Sequence, residues 1–489
     1  MPKFLLLLAE IIALAVLSVA SSFYFGIADG ARITLAYGIA YLIPRIVLSR
    51  ARGTSTTAST ILLVLAVFLT LVGFTELIDW TSAEGYSLEM PNLKSDARNY
   101  YKWALNHYDG RVNCAQVAFP GFPLMMLYMW RVLGVSVIWP LALNTMFLML
   151  SVVLTGLTTR RLLTHRTTMS ASALISGGML LTCLLCYYLM TGISILKESS
   201  VFLSISLAGF SLSSMSTIDE ERHKPWRDVV LFVLACALLA VVRTTYLYFI
   251  LIGAVIMVIP HWRRDWIWGL AMIAIIAVAF FLGDHYASYS FDRHAQIVSG
   301  GWSMQRIYVV DTHDNYRILL DNYYLYSPLH RLCMLPLTMS VQFIIPFPWL
   351  KSTEDLITAD YFCRATFGWY LVGGISLFYY LFMSWRRSMN IGLWPWWPAA
   401  VFVAMAYIMA GTINRYVLPI EPLFVPVALY VISRLKDTTI RRAFKRWSIF
   451  YAILLVATLL ICLELEMKTF SSALHVQPLS DQLFQVFGS

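Results

Sequence analysis

The chain has 489 residues, of which 59% are hydrophobic and 13% charged, against roughly 45–50% and about 25% in a soluble domain. This excludes a soluble multidomain enzyme, a disordered chain and a disulfide-stapled secreted module, and long unbroken apolar runs exclude a transmembrane barrel. The net charge of +9 does not call for nucleic acid, because Lys and Arg gather in short clusters between apolar runs, as in cytoplasmic loops.

A spanning helix needs about 20 apolar residues. On that ruler spans fall near 4–26, 32–48, 58–78, 136–158, 170–190, 199–216, 228–243, 245–260, 266–283, 367–384, 391–410, 417–433 and 447–463. The expected fold is all-α, a polytopic membrane protein of about thirteen spans (range 11–14) in one transmembrane domain over 1–489. The first run ends in Ser18-Val19-Ala20, a small-residue cleavage pattern. Glu10 within it and a single Lys before it favour a retained helix.

Basic clusters set the orientation. They are Arg45/Arg50/Arg52, Arg160/Arg161/Arg166, Arg222/Lys224/Arg227, Arg263/Arg264, Arg386/Arg387 and the run from Arg434 to Arg446. With thirteen spans all lie on the side of the N-terminus, so that side is expected to be cytoplasmic and the C-terminus outside. Two proline-bearing stretches, Phe119–Leu133 and about Leu329–Leu350, must then not cross. They read as interfacial or re-entrant helices on the outer face. The outer side carries two long loops, 79–135 with amphipathic helices and 284–366, plus a tail from about 464. Loops of that length and aromatic content are expected to hold the function.

In the first loop, Leu93–Ala104 suits a helix capped by Ser95 or Asp96. Tyr100, Trp103, Ala104 and His107 share one face and Lys102 lies on another. The helix reads as amphipathic and membrane-lying, with Asp96 either a cap or a catalytic base facing a lipid-linked substrate. Further along, Lys197-Glu198 interrupts two apolar runs, Arg243 ends one span and precedes another, and Arg415 lies in Asn414-Arg415-Tyr416. Charges at membrane depth cost about 2.5–3.5 kcal/mol each and usually face a cavity and a partner. The simpler alternatives are a local Lys197–Glu198 pair at a turn and snorkelling of Arg243 and Arg415. An acid among outer-face cations suits a phosphate-bearing lipid: the cations hold the phosphate and the carboxylate takes a proton from an acceptor.

No metal site is indicated. Asp284-His285 and His313-Asp314 lack a second ligand pair, and HxxxH and HExxH are absent. Cys183 and Cys186 form a CxxC inside an apolar run and read as packing, while Cys114, Cys333 and Cys363 fall on the outer side. Nucleotide-binding signatures are absent, which argues against an ATP-driven pump. The two halves show no similarity, which argues against a repeat-built transporter.

Taken in order, Ser95–Tyr101, Phe119-Pro120-Gly121-Phe122-Pro123, Asn144, Lys197-Glu198, Arg243, Pro346-Phe347-Pro348-Trp349 and Asn414–Pro419 resemble the GT-C class of membrane glycosyltransferases. That class includes bacterial relatives of dolichyl-phosphate-mannose protein mannosyltransferases. The resemblance covers roughly residues 75–435. It implies a polyprenyl-phosphate-linked sugar donor, a lipid, glycan or protein acceptor, and inverting transfer on the outer face of the cytoplasmic membrane in cell-envelope glycan assembly. It makes Asp96 the base and Lys197, Arg243 and Arg415 phosphate ligands, with Tyr100, Tyr101, Glu198 and Asn414 beside them at the substrate. It fixes no cofactor. A divalent metal stays open, though Asp96 stands alone where many members carry a paired acid. Two other classes compete. An O-antigen-type polymerase or ligase would use Arg293, Arg306, Arg317 and Arg331. A lipid-linked oligosaccharide flippase would need charges inside the bundle.

Overall fold

The computed structural model describes residues 3–51, 56–82, 95–111, 121–185, 195–214, 225–258, 328–344, 368–384, 391–409 and 418–474, with short helical stretches within 269–281. Among them there are helices and turns and no strand. In chain order the helices used below are α1 (Lys3–Phe25), α2 (Ile27–Ser49), α3 (Thr57–Ser82), α4 (Ser95–Tyr108), α5 (Gly121–Leu133), α6 (Ile138–Leu163), α7 (Ala171–Leu184), α8 (Glu198–Ser213), α9 (Pro225–Val242), α10 (Leu247–Val258), α11 (Pro328–Ile344), α12 (Gly368–Met383), α13 (Trp396–Met409), α14 (Val425–Arg434) and α15 (Thr438–Leu474).

Three of them are long and apolar enough to cross a membrane: Leu7–Phe25, Ile27–Ser49 and Ile138–Leu163. Shorter apolar helices lie at Thr57–Leu71, Ala171–Leu184, Leu247–Met257, Gly368–Met383 and Trp396–Tyr407. The outward faces are apolar too. Ile11, Val16, Val19 and Phe23 on α1 are exposed, as are Ile449, Phe450, Ile453 and Val456 on α15. Contiguous exposed apolar surface of this kind needs an apolar surrounding.

The α1–α2 hairpin turns at Gly26, whose φ of 84° suits glycine. Glu10, a charge inside the first apolar run, meets α2: it accepts from the Tyr41 hydroxyl and from Arg45 Nε, both at 2.8 Å. Gly30 lets the helices close, since a Cβ there would overlap the Ser22 backbone.

Helix α6 is the hub, packed by α2, α3, α7, α8 and α14. Its polarity relative to its neighbours follows from two contacts. Asn144 near its start donates to the Leu196 carbonyl at 2.9 Å, just before α8. Arg161 near its end donates to the Phe210 carbonyl at 2.7 Å, near the end of α8. Thus α6 and α8 run parallel. α9 runs against both: near its start Asp228 meets Arg161 at 3.3 Å, and just beyond its end Arg243 meets Glu198 at 3.5 Å. At about 1.5 Å of rise per residue the two charged layers lie at opposite ends of the bundle, roughly 22–25 Å apart.

In the second half, indole and phenol groups satisfy backbone carbonyls inside the apolar core. Trp397 donates to Phe249 at 2.8 Å, Trp394 to Leu423 at 3.0 Å, Trp447 to Gly374 at 3.0 Å and Tyr451 to Tyr370 at 3.0 Å. Buried aromatic N–H and O–H groups require such partners.

The apolar run expected at 417–433 begins not as α-helix but as a 3-10 turn, Leu418–Phe424. Pro419 and Pro422 lack N–H groups and clash with a preceding turn, so the chain tightens until α14 begins. In the second proline-bearing stretch, Pro336 is accommodated inside α11, which packs on α13 while Leu329 and Leu332 stay exposed. α5 has 13 residues, too few to cross a bilayer on its own. The remaining parts of both long loops, 83–94, 112–120, 282–327 and 345–367, and the tail 475–489 lie outside the described residues.

Candidate functional site

The site is built on a short helical hairpin at one end of the bundle. α4 packs on α5 through its buried face: Tyr100, Tyr101 and Ala104 are buried. Tyr101 meets Trp130 edge-on at 4.8 Å and Tyr100 meets Phe122 at 6.3 Å, giving aromatic contacts in favourable geometry. Trp103 and His107, four residues apart on that side of the helix, stack on each other at 3.8 Å half-buried, and Lys102 is exposed. The described part of this helix begins at Ser95. The side chain of Asp96 is outside what the structure describes.

α5 in turn abuts the end of α9. Gly121 makes this contact: a Cβ there would overlap the Val241 carbonyl. Two residues later the chain leaves α9 at Arg243. Its backbone N–H still donates to Leu239 O at 2.7 Å, and its carbonyl opens the 3-10 turn Thr244–Tyr246 by accepting from Tyr246 N at 3.1 Å. The close approach of α5 holds α4, packed on it, at this end of the bundle.

Lys197 and Glu198, adjacent in sequence, turn to different partners. The Glu198 carboxylate lies 3.5 Å from the Arg243 guanidinium, and Lys197 Nζ lies 5.3 Å from the centre of the Tyr100 ring. Arg243 also stands 5.0 Å from the Tyr246 ring. All three charged residues are under 9% exposed. Against the simpler alternatives of a local Lys197–Glu198 pair and a snorkelling Arg243, Glu198 pairs with Arg243 across helices and all three side chains are buried. The reason is that α6 fixes the segment before Lys197 through Asn144, leaving Glu198 to start α8 facing the end of α9. On that first turn of α8, Glu198 Oε2 and Ser200 Oγ are buried without a hydrogen-bond partner among the described residues.

Of the residues singled out from sequence, Tyr100, Lys197, Glu198 and Arg243 therefore meet at one end, with Tyr101 anchoring the hairpin. Asn414 and Arg415 lie outside the described residues, as do Arg293, Arg306 and Arg317. Arg331, on α11, is buried. Sequence reading missed Tyr246, although its spacing from Arg243 along a tight turn was the available signal. It also missed Glu421, buried on the 3-10 turn with Oε2 unpartnered among the described residues.

Chemically, the site offers two cations and one carboxylate in a dry setting where charge interactions are strong. The Glu198 carboxylate engages the Arg243 guanidinium, and Lys197 adds a second positive charge at the same end of the bundle. Among the described residues no three His, Cys, Asp or Glu side chains gather as a metal site. Cys114, Cys186, Cys363, Asp284, His285, His313 and Asp314 lie outside them. Compared with protein-family models, curated proteins and solved structures, the chain matches none.

Proposed function

We propose that this all-helical protein is an integral-membrane glycosyltransferase of GT-C type. It moves a sugar from a polyprenyl-phosphate-linked donor to a lipid, glycan or protein acceptor on the outer face of the cytoplasmic membrane. The observation that carries the reading is the convergence of Tyr100, Lys197, Glu198 and Arg243 from three separate parts of the chain at one end of the bundle. Arg160, Arg161 and Arg166 lie at the other end, the end that the positive-inside rule makes cytoplasmic. Thirteen spans, a cytoplasmic N-terminus and an outer C-terminus complete the proposal.

In this mechanism Lys197 and Arg243, joined by Arg415, hold the donor phosphate, and Glu198 orients Arg243. Asp96 on α4 accepts the proton of the acceptor hydroxyl as it attacks the anomeric carbon. The bond from that carbon to the phosphate oxygen breaks, and polyprenyl phosphate leaves with its negative charge held by the cations. Proton removal by a positioned base contributes about 10²–10⁴-fold.

The test is transfer by purified full-length protein supplied with polyprenyl-phosphate-linked sugars and with lipid, glycan or protein acceptors. Polyprenyl phosphate alone is titrated in parallel. Saturable binding of polyprenyl phosphate with turnover on one donor is expected, and wild-type protein that binds no polyprenyl phosphate sinks the proposal.

A further inference from the structure

Helix α15 begins at the end of the bundle opposite Lys197 and Arg243. Arg434 closes α14, and the chain turns through Asp437, whose N–H donates to Arg434 O at 3.0 Å, into Thr438. Tyr430, one turn before Arg434, is within electrostatic reach of Arg166 on the turn after α6, which fixes the end at which this happens. From there α15 runs back along α12, donating from Trp447 to Gly374 O and from Tyr451 to Tyr370 O.

The outward side of α15 changes character abruptly. Lys436, Arg441, Arg442, Lys445 and Arg446 are exposed, while Ile440 and Trp447 are buried against the bundle. Three residues after Arg446 the exposed side turns apolar, with Ile449, Phe450, Ile453, Leu454 and Val456. At about 1.5 Å of rise per residue, Arg441 to Arg446 covers roughly 7.5 Å of helix and the apolar band opens about 4.5 Å further on. The polar layer on each side of the hydrocarbon core is roughly 5–8 Å deep. The cations therefore form a band of head-group height directly beside a lipid-facing surface.

The helix gains nothing from these charges by itself. Arg441 and Lys445, and Arg442 and Arg446, are like charges four positions apart, a spacing that destabilises a helix. Arg441 also lies in the first turn, where the helix dipole disfavours a cation. The acid of this stretch is engaged: the Asp437 carboxylate accepts from the N–H groups of Thr439 at 2.8 Å and Ile440 at 3.4 Å. Arg442 Nε donates to the Thr438 carbonyl at 3.3 Å. Among the described residues no carboxylate forms an ion pair with any of the five cations.

We propose that this basic face of α15 docks on the phosphate head groups of anionic membrane lipids, through several exposed cations at once. Such a surface offsets the like-charge repulsion, and clusters of Lys and Arg at the end of a spanning helix attract anionic lipid. Guanidiniums add planar, bidentate donors for phosphate oxygens. The site lies at the opposite end from Lys197 and Arg243 and does not depend on glycosyl transfer, so either proposal can fail alone.

The experiment titrates full-length protein in neutral detergent with phosphatidylglycerol or phosphatidylcholine and reads bound lipid by native mass spectrometry. Wild-type protein is expected to prefer phosphatidylglycerol by at least about tenfold. Arg442→Gln should reduce that preference about two- to fivefold, and Arg441→Gln, Arg442→Gln, Lys445→Gln and Arg446→Gln combined should reduce it at least about tenfold. Lys102→Gln with Arg131→Gln, exposed cations on α4 and α5 at the other end, should leave it within about twofold. Raising ammonium acetate from about 0.1 to about 1 M shortens the Debye length from about 10 to about 3 Å and should erase most of the preference. Equal binding of the two lipids by the wild type overturns the proposal, as does an unchanged preference in the fourfold variant or at high salt. An equal loss in the α4–α5 control also overturns it, because net charge then acts without regard to place. Displacement of phosphatidylglycerol by polyglutamate at the same concentration would mean that the surface takes an acidic protein segment instead. Should the fourfold variant fail to fold, Arg442→Gln and the salt dependence decide alone.

Discussion

Glu198 and Arg243, separated by 45 positions in the chain, bring carboxylate and guanidinium to 3.5 Å at the meeting of the first turn of α8 and the end of α9, with side chains only 2% and 8% exposed. A buried pair of this kind resists removal of one partner far more than replacement of both, because a lone buried charge is left without compensation.

Arg243→Ala should therefore destabilise the protein by about 3–5 kcal/mol, and adding Glu198→Gln should restore part of that loss. Thermal unfolding of the single and double variants measures the coupling. Strictly additive losses would show that the pair does not interact. Polyprenyl-phosphate affinity is read on the same samples. Arg243→Ala should lose about ten- to a hundredfold, and Arg243→Lys should recover only part because the planar fork is missing.

Lys197→Ala removes the cation facing Tyr100 and leaves the Glu198–Arg243 pair in place. The expected outcome is a loss of about tenfold or more in polyprenyl-phosphate affinity with a smaller change in melting temperature than in Arg243→Ala. Tyr100→Leu keeps the apolar contact with Phe122 but removes the ring, and should cost about 0.5–2 kcal/mol through Lys197. Wild-type affinity in Lys197→Ala would take this lysine out of the phosphate site.

Asp96→Asn keeps shape and helix-starting ability but cannot accept the proton. Turnover should fall about 10²–10⁴-fold while polyprenyl-phosphate binding and melting temperature stay close to wild type. Full turnover in this variant would make Asp96 a helix-end residue and move the search for the base elsewhere.

Gly121→Ala places a methyl group on the Val241 carbonyl, whereas Gly38→Ala meets only a Leu14 methyl at 3.8 Å. The first should cost about 1–3 kcal/mol by forcing α5 and α9 apart, the second little. Since Val241 lies two residues before Arg243, Gly121→Ala should also weaken polyprenyl-phosphate binding. Equal melting temperatures for the two variants would mean that the helices separate freely.

Cysteine substitutions test the orientation. Labels impermeant to the membrane should reach positions 85 and 299 in intact cells and miss positions 54 and 438, as the positive-inside rule requires. Labelling of Thr54→Cys from outside would reverse the topology and put the Lys197–Arg243 end in the cytoplasm.

The sequence by itself determined the helical class and the positions of most helices, because apolar run length and proline spacing are local properties. It also singled out Tyr100, Lys197, Glu198 and Arg243, because a charge interrupting an apolar run is conspicuous one residue at a time. It could not assign partners. Lys197 and Glu198 are neighbours in the chain, and sequence proximity favoured pairing them. Only the packing of α6 on α8 and of α5 on α9 sent Glu198 to Arg243 and Lys197 to Tyr100. The parallel course of α6 and α8 likewise follows from Asn144 and Arg161 meeting backbone carbonyls at opposite ends. Each of these contacts joins residues 45 to 97 positions apart, and such pairings are set by which helix faces close against each other, a choice that no local pattern in the chain encodes.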